Sequence, residues 1–148
     1  MIAVVQRVTR ASVSVIDPPY KASIEGGLCV LLGIENEDDD QDAKWMANKL
    51  ANLRIFCDEN NKMNRSLLDH GGELLLISQF TLAGDCTQGN RPSFTQAAKP
   101  EIAEPLVATV GELLHQDFGI RVMSGVFGAM MNVEITNNGP VTIVLKRD

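Results

Sequence analysis

At 148 residues and 16.1 kDa the chain has the length of one domain, enough to bury roughly 70% of the surface its unfolded form exposes. Hydrophobic residues make up 45% and charged residues 22%, which excludes a disordered tail, a collagen-like chain and a disulfide-stapled peptide. A net charge of -6 and a pI of about 4.9 speak against broad binding to nucleic-acid backbones, and DNA is not expected as a partner. The longest apolar run, Leu28 to Ile34, is far short of the roughly 20 residues that span a bilayer, so no membrane is expected. At the N-terminus the apolar start meets Gln6 and Arg7 at once and offers no signal-peptide core. Cys29, Cys57 and Cys86, an odd number with no C-x-x-C, predict reduced thiols and a cytoplasmic protein.

The first third alternates as strands do. Ala3, Val5 and Arg7 share one face of Ile2 to Val8, and Ser12 to Val15 repeats the pattern before Asp17-Pro18-Pro19 breaks it as a turn. Lys21 to Glu25 and Leu28 to Ile34 read as a hairpin joined at Gly26-Gly27, and such short connections predict antiparallel pairing. Asp38 to Leu53 is the first helix, with Ala43, Met46, Ala47, Leu50 and Leu53 on one stripe. The acidic run at its start lacks the spacing of a calcium loop and reads as carboxylates favoured by the helix dipole. Further strands are expected at Arg54 to Phe56 and Leu74 to Phe80, separated by the turn-rich segment Asp58 to Asn64. A second helix follows Pro100, its stripe formed by Leu106, Val107, Val110, Leu113 and Leu114, with Pro105 delaying its start or bending its first turn. Strands at Met131 to Thr136 and Val141 to Leu145, joined by Asn137-Asn138-Gly139-Pro140, close the chain. The expected fold is a single α+β domain, residues 1–148, with an antiparallel, barrel-like sheet covered by two main helices.

Several chemistries lack their residues. His70 and His115 neighbour no nucleophile in sequence, and no G-x-S-x-G elbow is present. Cys and His spacing gives no zinc site, and no phosphate-cradling glycine loop occurs, so neither metal nor cofactor is expected. Two stretches stand out. Ser78-Gln79-Phe80-Thr81-Leu82, followed by Asp85 and by Gln88-Gly89-Asn90-Arg91-Pro92-Ser93-Phe94, reads either as a polar pocket wall or as a strand ending in hydrogen-bonding residues. Asn138-Gly139-Pro140 reads from its residue types as a hairpin turn.

Those stretches, together with Val5-Gln6-Arg7-Val8, Ala11-Ser12-Val13, Arg54-Ile55-Phe56, Lys62-Met63-Asn64 and Gly125-Val126-Phe127-Gly128-Ala129-Met130, resemble the D-aminoacyl-tRNA deacylases from Met1 to about Leu145. Two positions depart from that pattern: members often carry an acidic residue where Met130 stands and a basic one near Gln88. The Asp17-Pro18-Pro19-Tyr20 turn also looks longer than usual. The resemblance implies a homodimer that hydrolyses the ester of D-aminoacyl-tRNA, and mischarged glycyl-tRNA with it, at a pocket built on the subunit interface. By similarity Ser78, Gln79, Phe80 and Thr81 form the catalytic wall, whose backbone amides polarise the ester carbonyl. Thr81 is either a nucleophile or a bystander to attack assisted by the 2′-hydroxyl of the terminal adenosine; the absence of a neighbouring base favours the second. Gly139-Pro140 is implied to be a cis peptide that enters the partner's pocket and excludes L side chains, braced by Arg7 unless that residue is an ordinary surface arginine. Phe127 and Met131 are implied to receive the tRNA 3′ end, with a core role as the alternative for Phe127. An acidic enzyme that grips only an aminoacylated 3′ end needs few phosphate contacts, so the net charge is compatible with a tRNA partner. A small-molecule esterase using Thr81 or Ser78, a non-catalytic binding module and relatives with a trans Gly-Pro bond are the competing readings.

Overall fold

A computed structural model describes residues Met1–Asp148. The chain runs β1 (Ile2–Val15), β2 (Tyr20–Ile24), β3 (Gly27–Gly33), α1 (Asp40–Asn52), β4 (Phe56–Cys57), β5 (Met63–Arg65), α2 (Leu67–His70), β6 (Glu73–Ser78), a 3-10 turn at Phe80–Ala83, α3 (Pro100–Phe118), β7 (Val122–Ser124) and β8 (Asn132–Lys146). Strands β1, β2, β3, β6, β7 and β8 form one six-stranded sheet that curls towards a barrel. Where it nearly closes, the Tyr20 hydroxyl of β2 donates to the Ser124 carbonyl of β7 at 2.7 Å.

The expected barrel-like α+β domain is present, but its sheet is mixed rather than antiparallel throughout. β3 pairs β6, and β6 pairs β7, in parallel. Short links between neighbouring strands made antiparallel pairing the expectation, yet α1 lies between β3 and β6 and α3 between β6 and β7, and a helix is the usual crossover for a parallel pair. The sequence of β3 and β6 fits this arrangement. Leu28, Val30, Leu32, Leu74 and Leu76 face the main core under the helices, while Cys29, Leu75 and Ile77 join a second core on the opposite face. Strands buried on both faces read as continuous apolar runs.

The Gly26-Gly27 hairpin is also corrected. β2 and β3 do not pair with each other; both pair β1, end to end along one of its edges, with Ala11 opposite Ile24 and Val8 opposite Gly27. The hairpin lies between β1 and β2, at the Asp17-Pro18-Pro19 turn. β1 is a single strand through Thr9 and Arg10, not two, because it carries β8 along its other edge for almost its whole length. β8 likewise continues through Asn137–Pro140, so that segment is not a hairpin turn.

The two main helices form where their stripes predicted. Asp39 caps α1 in a reciprocal box with Asp42, while Asp38 and Glu35 of the same acidic run bind the α-amine of Met1 at 2.5 and 3.0 Å. α3 starts at Pro100 and passes through Pro105 without delay. Proline that early costs one intrahelical bond near an end where donors are already free. The short α2 was not anticipated, although Ser66 and Asp69 spell out the capping box that starts it. The Arg54–Phe56 strand shrinks to Phe56–Cys57 paired with β5 across the Asp58–Lys62 turn.

Candidate active site

β6 lies between β3 and β7 and is buried on both faces; its ladder with β7 ends at Leu76, and its C-terminal end is held by β3. Pairing with β3 runs to Ser78 opposite Leu32, and the Gln79 amide donates to the Leu32 carbonyl at 2.8 Å. Immediately afterwards the chain turns into the 3-10 segment Phe80–Ala83. Gly33, at the end of β3, makes room for that turn: a Cβ there would lie 2.9 Å from the Gln79 carbonyl oxygen and 3.1 Å from the Leu82 Cβ. Within the turn the Leu82 amide bonds the Gln79 carbonyl and the Gly84 amide the Thr81 carbonyl. The amides of Phe80 and Thr81 precede the first bond of the turn, which Leu82 makes, and so have no acceptor within it.

These free amides border a pocket of about 680 Å³. Ser78, Gln79, Phe80 and Thr81 form one wall, and Phe127 to Met131 another, with Ala103 and Val107 of α3 behind them. Twelve of the seventeen lining residues are hydrophobic and none is ionisable, so the wall supplies no side-chain acid or base. The Gln79 side-chain amide donates to the Thr81 hydroxyl oxygen at 2.5 Å. The hydroxyl keeps its own proton, and no ionisable side chain of the lining is there to take it. Phe127 both lines the pocket and packs on the main core. Met131 lines the pocket while packing on the second core, and its neighbour Met130 is 92% exposed on the rim.

Beyond the turn, Asp85 and Ser93 exchange backbone hydrogen bonds of 2.8 and 2.9 Å and so close the segment between them into a strap. The backbone N–H of Thr87 donates to the Asp85 carboxylate and holds it below the usual carboxylate range. Phe94, at the foot of the strap, meets Phe80 edge to face with centroids 5.2 Å apart. The polar residues of this stretch mark it as a possible pocket wall, but no local pattern places Phe94 against Phe80.

Arg7, Gly139 and Pro140 lie elsewhere, and none lines the pocket of its own chain. Arg7 is only 8% exposed and is no surface arginine. Its Nε donates to the Asn138 carbonyl at 3.0 Å, and its Nη1 donates to the Ile55 carbonyl at 2.7 Å and contacts Cys57 Sγ at 3.7 Å. Between Gln6 and Val8, two steps along β1 correspond to five along β8, so Asn138–Val141 bulges out of the ladder. Gly139 has φ +133 and the Gly139-Pro140 peptide is cis. The bulge is exposed, on a strand whose other edge has no partner and on which Val144 is 66% exposed.

The barrel-like domain thus holds an apolar pocket with Ser78–Thr81 at one wall, and no cluster of His, Cys, Asp and Glu side chains that could hold a metal ion. The chain is similar to known proteins. The family model described as D-Tyr-tRNA(Tyr) deacylase matches residues 4–146. A D-aminoacyl-tRNA deacylase of Fervidobacterium nodosum is 52% identical over 145 residues, 98% of this chain and 96% of that one. One of Thermus aquaticus is 51% identical over 145 residues, 98% and 94% of the two chains. The solved structure of a c-Myc DNA unwinding element binding protein superposes with a TM-score of 0.91 at 44% identity, covering 100% of this chain and 99% of that one. A probable eukaryotic D-amino acid tRNA deacylase shares the fold with a TM-score of 0.87 at 16% identity, covering 97% of each chain. The chain belongs to the D-Tyr-tRNA(Tyr) deacylase family and is a hydrolase.

Proposed function

We propose that the protein hydrolyses the ester bond between a D-amino acid and the 3′-terminal adenosine of tRNA, in the cytoplasm, without metal or cofactor. The observation that carries this reading is the pair of unpaired Phe80 and Thr81 amides at the wall of a pocket that has no ionisable lining. The ester carbonyl oxygen accepts from those amides, which stabilise the charge that develops on it. Water attacks the carbonyl carbon, the bond to the 3′ oxygen breaks, and the proton released by water ends on that oxygen. With no ionisable side chain in the lining to deprotonate Thr81 Oγ1, the neighbouring 2′-hydroxyl of the substrate serves as the proton relay and Thr81 is not acylated. Phe127 and Met131 take the adenosine.

The second half of the site comes from another copy of the chain. β8, which carries the Gly139-Pro140 bulge, pairs no strand of its own chain other than β1, and Arg7 fixes the Asn138 carbonyl beside the bulge. In a homodimer this bulge enters the partner's pocket, where its backbone holds the substrate ammonium and occupies the space an L side chain needs. Glycine, lacking a side chain, passes the same filter. Deacylation of D-tyrosyl-tRNA against L-tyrosyl-tRNA tests the reading: rapid release of D-tyrosine with the L ester spared is expected, and equal rates would refute chiral selection.

A further inference from the structure

The segment from Cys86 to Lys99 contains two cations, Arg91 and Lys99, and no acid, on a chain of net charge -6. Neither cation has a carboxylate within ion-pair distance. Its strap is closed at the base by Asp85 and Ser93, and every residue from Cys86 to Pro92 is exposed. Phe80 lines the pocket and is 56% exposed; Phe94, packed edge to face against it, does not line the pocket and is 39% exposed. Large aromatic side chains left in solvent beside unpaired cations are the composition of a single-strand nucleic-acid platform: rings for bases, guanidinium and ammonium for phosphates.

We propose that this strap is a second subsite for the tRNA 3′ strand, in which Phe94 stacks on the base that precedes the terminal adenosine and Arg91 meets the phosphate between them. The inference rests on the deacylase reading above and extends its substrate beyond the aminoacyl-adenosine. The geometry gives the order. The aminoacyl-adenosine fills the pocket up to Phe80, and the strand leaving the mouth crosses the Phe80 and Phe94 rings, 5.2 Å apart and inclined at 69°. Lys99, directly before the pocket-lining Pro100, stands beside the same mouth. A strand held this way is gripped at its last two nucleotides, with few phosphate contacts, as an acidic enzyme requires.

The test compares D-tyrosyl-tRNA with D-tyrosyl-adenosine, which ends where the pocket ends. Phe94→Leu keeps an apolar contact with Phe80 but removes the stacking face; KM for the tRNA should rise about tenfold with kcat less affected, so the preference for tRNA over D-tyrosyl-adenosine falls by the same factor. Phe94→Tyr should restore it. Arg91→Gln should lower the slope of log(kcat/KM) against log salt for the tRNA by about one. An unchanged preference in Phe94→Leu would overturn the inference while leaving the deacylase reading intact. So would a shift of that variant to monomer in sedimentation, which would make Phe94 a contact between copies. Failure of the unaltered protein to hydrolyse either ester would overturn the deacylase reading itself.

Discussion

The pocket wall and the Asn138–Pro140 bulge differ in how the chain holds them. Ser78–Ala83 leaves a strand buried on both faces, is pinned to β3 through Gln79, and lines the pocket with Ser78 to Thr81. The bulge stands on an edge strand with no fully buried residue, and one arginine reaching through the barrel fixes it. A feature that a single chain completes is rigid because its own core surrounds it. A feature that a single chain leaves exposed, yet braces with a buried cation, is shaped for contact with something else. The comparison predicts that lesions in the wall are lesions of one subunit and lesions in the bulge are lesions of the pair.

The largest effect belongs to the wall. Phe80→Pro removes one of the free amides at the first position of the turn, where a proline is sterically tolerated, and Phe80→Ala removes the ring alone. Deacylation by Phe80→Pro should fall below that of Phe80→Ala by a factor on the order of 10²–10³, the worth of one oxyanion donor. Equal rates would mean that the amide does not meet the carbonyl.

Next come the two glycines. Gly139→Ala places a Cβ 2.8 Å from Val141 Cγ2 and 3.2 Å from Arg7 Nη2, at a φ that L residues rarely adopt. Activity should drop on the order of 10²-fold through misplaced backbone while the melting temperature hardly moves, because the bulge is exposed. Gly33→Ala instead presses on the buried side of the turn and should cost stability as well, about 1–3 kcal/mol by denaturant titration. If the two variants lost stability alike, the bulge would be as much a part of the single chain's fold as the wall is.

How far these regions were legible beforehand follows the same division. The stripes of α1 and α3 and the polar end of β6 are local patterns and were read directly. The end-to-end placement of β2 and β3 was not, because both strands pair a partner elsewhere in the chain and their own connection mimics a hairpin. Asn137–Pro140 looked like a turn because its residue types are those of turns; only the register with β1 makes it a bulge. Alternation puts Arg7 on the face of Ala3 and Val5, which is the buried one, but the carbonyls that satisfy it there lie 48 and 131 residues away and leave no local pattern.

Smaller effects sharpen the chemistry. Thr81→Ala loses one neutral hydrogen bond, about 0.5–1.5 kcal/mol, so kcat should fall by no more than about tenfold and no acyl-threonine should be trapped. The least effect concerns Cys29, whose thiol burial pushes up to about 12. The folded state holds that proton more tightly than the unfolded one, so stability is intact at neutral pH and falls as pH rises above 9 towards 12. At neutral pH a thiol reagent should modify exposed Cys57 and Cys86 quickly and Cys29 only after unfolding.

The division of the site between two copies is tested most directly by mixing two inactive variants. Phe80→Pro destroys a wall and keeps a bulge; Gly139→Ala destroys a bulge and keeps a wall. Unfolded together and refolded, they should form mixed dimers in which one site has both an intact wall and an intact bulge, restoring about a quarter of the unaltered activity on random assortment. A mixture no more active than its two components would show that wall and bulge serve the same chain, and would contradict the account.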